Sequence, residues 1–125
     1  MINGKTARAF WLMRNKRLRC SYELLDDGAI QNLGDFNVRA IATPGHTLGS
    51  MSYLVNETLL FTGDTLTLHK GQFRPFSRLM NMDTATQKHS ITKLVALQGV
   101  KLVCTGHTGY TFNFDAAAKT WLTIQ

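Results

Sequence analysis

Three short segments share one design: each sets a metal-ligating side chain directly after a glycine, close to the end of an apolar run. They are Gly45-His46 in TPGHTLGS, Gly63-Asp64 in LLFTGDT and Gly106-His107 in LVCTGHTGY. Glycine lets the backbone turn sharply where a strand ends. The ligand then projects past the sheet edge, onto the loops where sites are usually built. His, Asp, His is a borderline-soft nitrogen and oxygen set that suits zinc, and less specifically iron or manganese. Singly, each pair is a weak signal, since Gly-Asp is most often a plain turn. Together, in this order, they point to a metal centre made of His46, Asp64 and His107.

These residues need strands to present them. Phe36 to Thr43 alternates as a strand does, with Phe36, Val38, Ala40 and Ala42 on one side, and Pro44-Gly45 breaks it. Gly34-Asp35 and Asp26-Asp27-Gly28 are turn signals. Ser50 to Val55 and Thr58 to Phe61 read as a hairpin around Asn56-Glu57, Val100 to Cys104 as a buried strand, and Arg19 to Leu25 as a further strand. Lys5 to Arg14 fits a short helix with Ala7, Phe10 and Trp11 on one face. The clearest helix spans about Ala85 to Gln98. Thr84 and Gln87 fit a capping box there, Ile91, Leu94 and Val95 lie on adjoining turns, and Gly99 is the stop signal. A last helix starts near Asp115 as N-cap and carries Ala118, Trp121 and Leu122. Leu66 to Met82 has no period and reads as a long loop, a length that is often functional. The expected fold is α/β, with a mixed sheet and helices on one face.

Composition narrows the function classes. The 125 residues are 44% hydrophobic and 18% charged, which suits one small globular domain. No apolar run approaches the roughly 20 residues of a membrane span, so no membrane association is expected. Lys5 and Arg8 interrupt the first apolar stretch, so it does not read as a secretory signal. Cys20 and Cys104 have no CxxC spacing, and a reduced, cytoplasmic protein is the expectation, with Cys104 a small core residue. The net charge is +6, with Arg14, Lys16, Arg17 and Arg19 clustered early. No nucleic-acid motif accompanies them, so a solvated basic face is expected and nucleic acid is not. Lys70 and Arg74 read as an exposed basic loop, with an anionic substrate as the alternative. His69 follows the Asp64 segment and either approaches the site or is a solvated loop histidine. His89 reads as structural. Thr47, Thr65 and Thr108 each follow a ligand position and read as turn residues or as partners of the ligands.

The stretch ATPGHTLGSMSYLVNETLLFTGDTL resembles the central motif pair of the metallo-β-lactamase superfamily, which includes glyoxalase II-like hydrolases, and CTGHTGY resembles that family's final histidine motif. The lead-in LLDDGAIQNLGDFNVRAIATPGHT and the segment MNMDTATQKHSITKL are similar too. The resemblance runs from about Leu18 to Trp121. It implies an αββα sandwich in which His46 binds one metal, Asp64 bridges two and His107 binds the second.

The family's HxHxDH motif has no counterpart here. The four histidines are His46, His69, His89 and His107, and none sits in an HxH or DH pair. Residues 1–125 therefore read as a single truncated domain, the C-terminal half of the sandwich, with the HxHxDH half missing. A catalytic zinc usually takes three protein ligands and an open position. The expectation is a hydrolase-like protein with an incomplete zinc site and little or no activity as a single chain. The alternative is a non-catalytic remnant acting as a binding or assembly module. A half sandwich leaves one sheet face bare, supplied by Phe36, Val38, Ala40, Leu59 to Phe61 and Leu102 to Cys104. A homodimer through that face is expected.

Overall fold

The computed structural model describes residues 20–124. The expected Lys5–Arg14 helix and the basic cluster at 14–19 lie outside the described residues. Eight strands are present: β1 (Ile30–Leu33), β2 (Phe36–Ala42), β3 (Met51–Val55), β4 (Leu59–Phe61), β5 (Leu66–His69), β6 (Gln72–Pro75), β7 (Leu102–Cys104) and β8 (Tyr110–Thr111). The helices are α1 (Thr84–Val95) and α2 (Phe114–Ile124). Six strands form one mixed sheet in the order β1-β2-β3-β4-β7-β8, while β5 and β6 pair as a separate hairpin. All pairings are antiparallel except β4 with β7.

One face of the sheet carries the core. Ile41, Leu54, Leu60 and Val103 are buried there against Ile91, Leu94 and Val95 of α1 and Ala117, Ala118 and Trp121 of α2. Leu66 and Phe73 of the β5–β6 hairpin join them. Trp121 Nε1 donates to Thr92 Oγ1 at 3.2 Å, so the indole N–H is satisfied while its ring fills the helix–helix contact. Among the described residues no helix lies on the other face. Registers Leu33↔Phe36, Val38↔Val55, Ala40↔Tyr53, Tyr53↔Phe61, Leu59↔Leu102 and Cys104↔Tyr110 place these side chains together on it. The expected mixed sheet covered on one face is therefore the observed one, although Leu60 and Val103 point into the core rather than the bare face.

Local chemistry explains several elements. The β3–β4 hairpin turns on Asn56 and Glu57, both at positive φ (48° and 55°), the geometry that matches strand twist. Asn56 carries it because its Oδ1 accepts from Asn37 N at 2.8 Å. Glu57 pairs with Arg39 on the neighbouring strand. In α1 the N-cap is Asp83, not the expected Thr84: its Oδ1 accepts from Ala85 N at 2.9 Å and Thr86 N at 3.1 Å. The helix ends at Val95, short of Gln98.

Other expectations are corrected. Residues 20–25 form no strand; Tyr22 and Leu24 are exposed, and β1 takes the edge position beside β2 instead. The 66–82 stretch is a loop only from 76 onward. Its first part is the β5–β6 hairpin, turned at Lys70-Gly71, both at positive φ. In α2, Asp115 lies inside the first turn, and Leu122 is exposed while Ala117 is buried. Cys104 is half-buried on the bare face rather than in the core. Among the described residues no helix is long and apolar enough to cross a membrane.

Candidate metal centre

Topology brings the three glycine-led segments together. β2 and β4 both run antiparallel to β3, and β4 runs parallel to β7. β2, β4 and β7 therefore all end at the same edge of the sheet. His46, Asp64 and His107 sit on the loops just past those three ends. Asp64 is the middle of a 3₁₀ turn, Gly63–Thr65.

Asp64 lies between the two imidazoles. Its Oδ2 is 3.5 Å from His46 Nε2, and its Oδ1 is 3.2 Å from His107 Nε2. Two donors about 2.0–2.1 Å from one zinc ion at a tetrahedral angle lie about 3.3 Å apart. Both spacings fit a divalent metal between each imidazole and its carboxylate oxygen. The donor chemistry agrees, since each position would receive one neutral nitrogen and one anionic oxygen. Among the described residues, however, no three His, Cys, Asp or Glu side chains converge on one point. The arrangement is one carboxylate flanked by two imidazoles, one facing each oxygen, rather than a three-residue cluster.

The glycines before the ligands serve different ends. Gly45 has φ 135°, and a Cβ there would lie 2.3 Å from the Cα of Gln87, so the His46 loop packs directly on α1. Gly106 has no left-handed backbone. A Cβ on it would lie 2.5 Å from Asp64 Oδ1 and 3.1 Å from the Gly63 carbonyl carbon. Gly106 is required for room, because the carboxylate occupies the space a side chain would take. The two loops are also stitched by Gly106 N donating to Gly63 O at 2.9 Å.

Three further residues build the site, and sequence reasoning did not single them out for it. The Phe76 ring stands edge-on to His46, with centroids 4.9 Å apart, and tilted against His107 at 5.8 Å. Asn81 Oδ1 lies 3.2 Å from His46 Nδ1, and Asn81 Nδ2 donates to Phe76 O at 3.0 Å and to Gln87 Oε1. Gln87, fully buried, donates from Nε2 to the Asp64 backbone carbonyl at 3.1 Å. The capping-box reading of Gln87 is thereby replaced: Asp83 caps the helix, and Gln87 turns inward to the site. A visible signal was Asp83 itself, an N-cap residue type one position earlier with Thr86 three residues on. Nothing in the spacing marked Phe76 or Asn81 beyond their place on a long loop.

His46 is the sheltered imidazole, with 17% of its side chain exposed, whereas His107 is open at 65%. His69 is exposed at the end of β5 and His89 is exposed on α1. Arg74 is exposed and donates to Gln72. The threonines after the ligands take structural roles. Thr47 bonds Ser50, and Thr108 bonds Thr105 and accepts from Leu68 N. Thr65 joins a buried hydroxyl chain to Thr43 and Ser52.

No family model matches the chain. The hydroxyacylglutathione hydrolase of Brucella ovis is 46% identical over 82 residues, which is 64% of this chain and 29% of that protein. The hydrolase of the same name from Brucella abortus matches equally. Among solved structures, an archaeal metallo-β-lactamase superfamily protein from Sulfolobus tokodaii is similar with a TM-score of 0.62 and 27% identity, covering 81% of this chain and 40% of that one. ETHE1 from Myxococcus xanthus is similar with a TM-score of 0.59 and 25% identity, covering 85% and 52%. The chain thus spans less than a third of the curated hydrolases it matches and about half or less of these structural neighbours.

Proposed function

This chain belongs to the metallo-β-lactamase superfamily, spanning part of its domain, and from that premise we propose that it supplies half of a hydrolase-type zinc centre. His46 and Asp64 Oδ2 form one half-site; His107 and Asp64 Oδ1 form the other. Asp64 would be shared between them, and further donors would have to come from outside these three residues. The observation that carries the reading is the placement of Asp64, with one oxygen facing each imidazole at a metal-compatible spacing.

When bound, the metal supplies Lewis acidity toward an ester, thioester or lactam carbonyl and its attacking water. The chain's own residues hold the geometry for this. Phe76 packs against both imidazoles. Gln87 and the Gly106–Gly63 hydrogen bond fix the backbone on either side of Asp64. The identity of the curated relatives favours a thioester as substrate class. The exposed position of His107 leaves that side of the centre open to substrate and to additional ligands.

The bare sheet face is read as the contact for a second copy of the chain. Leu33, Phe36, Tyr53, Phe61 and Tyr110 are exposed on it. No charged side chain of the paired strands lies on that face, so pairing two copies there would set no strand charges opposite one another. Face-to-face packing is how sheets bury such surfaces.

The metal assignment is tested by equilibrium zinc titration against a competing chelator dye. His46→Ala, Asp64→Asn and His107→Ala are each expected to weaken binding at least about ten-fold. Parent-like affinity in both histidine variants would refute it.

A further inference from the structure

We propose that Asn81 and Gln87 are positioning residues that hold His46 in the tautomer with its proton on Nδ1, leaving the Nε2 lone pair aimed at the Asp64 carboxylate. This deepens the metal-ligand reading of His46 and rests on it only for the metal half of the test below.

Two backbone carbonyls, which can only accept, fix the orientation of both amides. The Asp64 carbonyl lies 3.1 Å from one end of the Gln87 amide, so that end is Nε2 and the other is Oε1. Oε1 faces Asn81, so the Asn81 atom meeting it is Nδ2. The Phe76 carbonyl, 3.0 Å from the same Asn81 atom, demands the same assignment. Asn81 Oδ1 is therefore left to face His46 Nδ1 at 3.2 Å. An amide oxygen has no hydrogen, so Nδ1 must donate. In the neutral ring Nε2 is then the unprotonated nitrogen.

The consequence is electrostatic. The Nε2 lone pair confronts a carboxylate oxygen at 3.5 Å, two electron-pair donors with no hydrogen between them. That contact is unfavourable unless a metal cation or a second ring proton, on Nε2, occupies the gap. Burial strengthens the constraint: Gln87 is fully buried and His46 is largely sheltered, so water does not readily replace either amide. His107 has no such device, since its exposed ring makes no hydrogen bond at Nδ1 among the described residues. The two half-sites are thus unequal, with His46 preset and His107 adaptable. Orientation of a ligating histidine through its second nitrogen is worth about 10–100-fold in metal affinity.

The test uses the 125-residue chain, metal-free, with 15N-labelled histidine at about pH 8.5, where imidazole is normally neutral. Long-range 1H–15N correlation reads the tautomer directly. His46 is expected to show a protonated Nδ1 and an unprotonated Nε2. Asn81→Leu removes the acceptor, and the ring is expected to shift toward the other tautomer, with zinc affinity falling at least about ten-fold. Asn81→Asp keeps an acceptor facing His46 Nδ1 but sets its second oxygen against the Phe76 carbonyl and Gln87 Oε1, so it is expected to keep the parent tautomer at a cost in stability. A parent ring protonated on Nε2 overturns the proposal whether or not Asn81→Leu folds. So does an Asn81→Leu variant with parent tautomer and parent affinity. If the tautomer shifts as stated but His46→Ala still binds zinc like the parent, the positioning stands and the ligand assignment falls.

Discussion

Gly106→Ala isolates the packing that places Asp64. The added Cβ would sit 2.5 Å from Asp64 Oδ1, against about 3.4 Å for ordinary contact, so the carboxylate oxygen must retreat by about 0.9 Å. It cannot do so and keep its 3.2 Å spacing to His107 Nε2. The Gly63 carbonyl at 3.1–3.2 Å blocks the alternative of moving the loop. Overpacking of this kind costs about 1–3 kcal/mol. The backbone at Gly106 accepts an L residue, so about 0.4–1 kcal/mol returns through the stiffer unfolded chain. The net expectation is about 1–2 kcal/mol, or about 5–10 °C in melting temperature, with zinc affinity down about 10–100-fold. Gly109→Ala is the control. Gly109 has φ 87° with open space around it, so it loses stability through backbone strain but leaves the carboxylate untouched. In an Asp64→Ala background the obstacle is gone, and the cost of Gly106→Ala should shrink by at least about 1 kcal/mol. Calorimetry and zinc titration of the four-member cycle measure this. Additive stabilities with unchanged zinc affinity in Gly106→Ala would refute the reasoning.

Light scattering at micromolar concentration should give about twice the 14.0 kDa chain mass, and Phe61→Glu, placing a charge on the bare face, should return it to a monomer. A folded parent at the monomer mass would end the dimer reading. The isolated chain should hydrolyse thioesters far more slowly than about 1 per second, because each half-site holds two protein donors rather than three; zinc-dependent turnover at that rate would contradict it. Stability should fall on acidification below about pH 4. Asp27 is held below its ordinary value of 3.8 by hydrogen bonds from Lys93 and the Ala42 N–H, and Asp83 by the Thr86 hydroxyl and helix N–H groups. A depressed carboxylate stabilises the fold above its unfolded pKa, and the gain is lost as pH falls through the folded one. Asp27→Asn and Asp83→Asn should each flatten that acid limb in urea titrations run from pH 5 to pH 2.

The meeting of His46, Asp64 and His107 was legible because glycine-led pairs at the ends of apolar runs report strand termini, and parallel strands bring their termini to one edge. The bare face was legible because alternation along Phe36–Ala42 is a period of two, which register converts directly into a surface. The Leu66–Pro75 hairpin was missed because its turn, Lys70-Gly71, puts a non-glycine at positive φ and lacks the usual Asn or Asp signal. Asn81 and Gln87 were hidden for a different reason. Their work is defined by which carbonyl each amide meets, and those partners lie 5 to 35 residues away. Gly106 was found, but for the wrong physical reason: room for a carboxylate, not freedom of φ.

X-ray absorption on the zinc-loaded chain tests the shared-carboxylate centre most directly. The expected result is a shell of nitrogen and oxygen at about 2.0–2.1 Å, with imidazole scattering that falls in His46→Ala and again in the His46→Ala, His107→Ala double variant. A sulfur shell at about 2.3 Å, or imidazole scattering in the double variant equal to the parent's and supplied by His69 or His89, would contradict it.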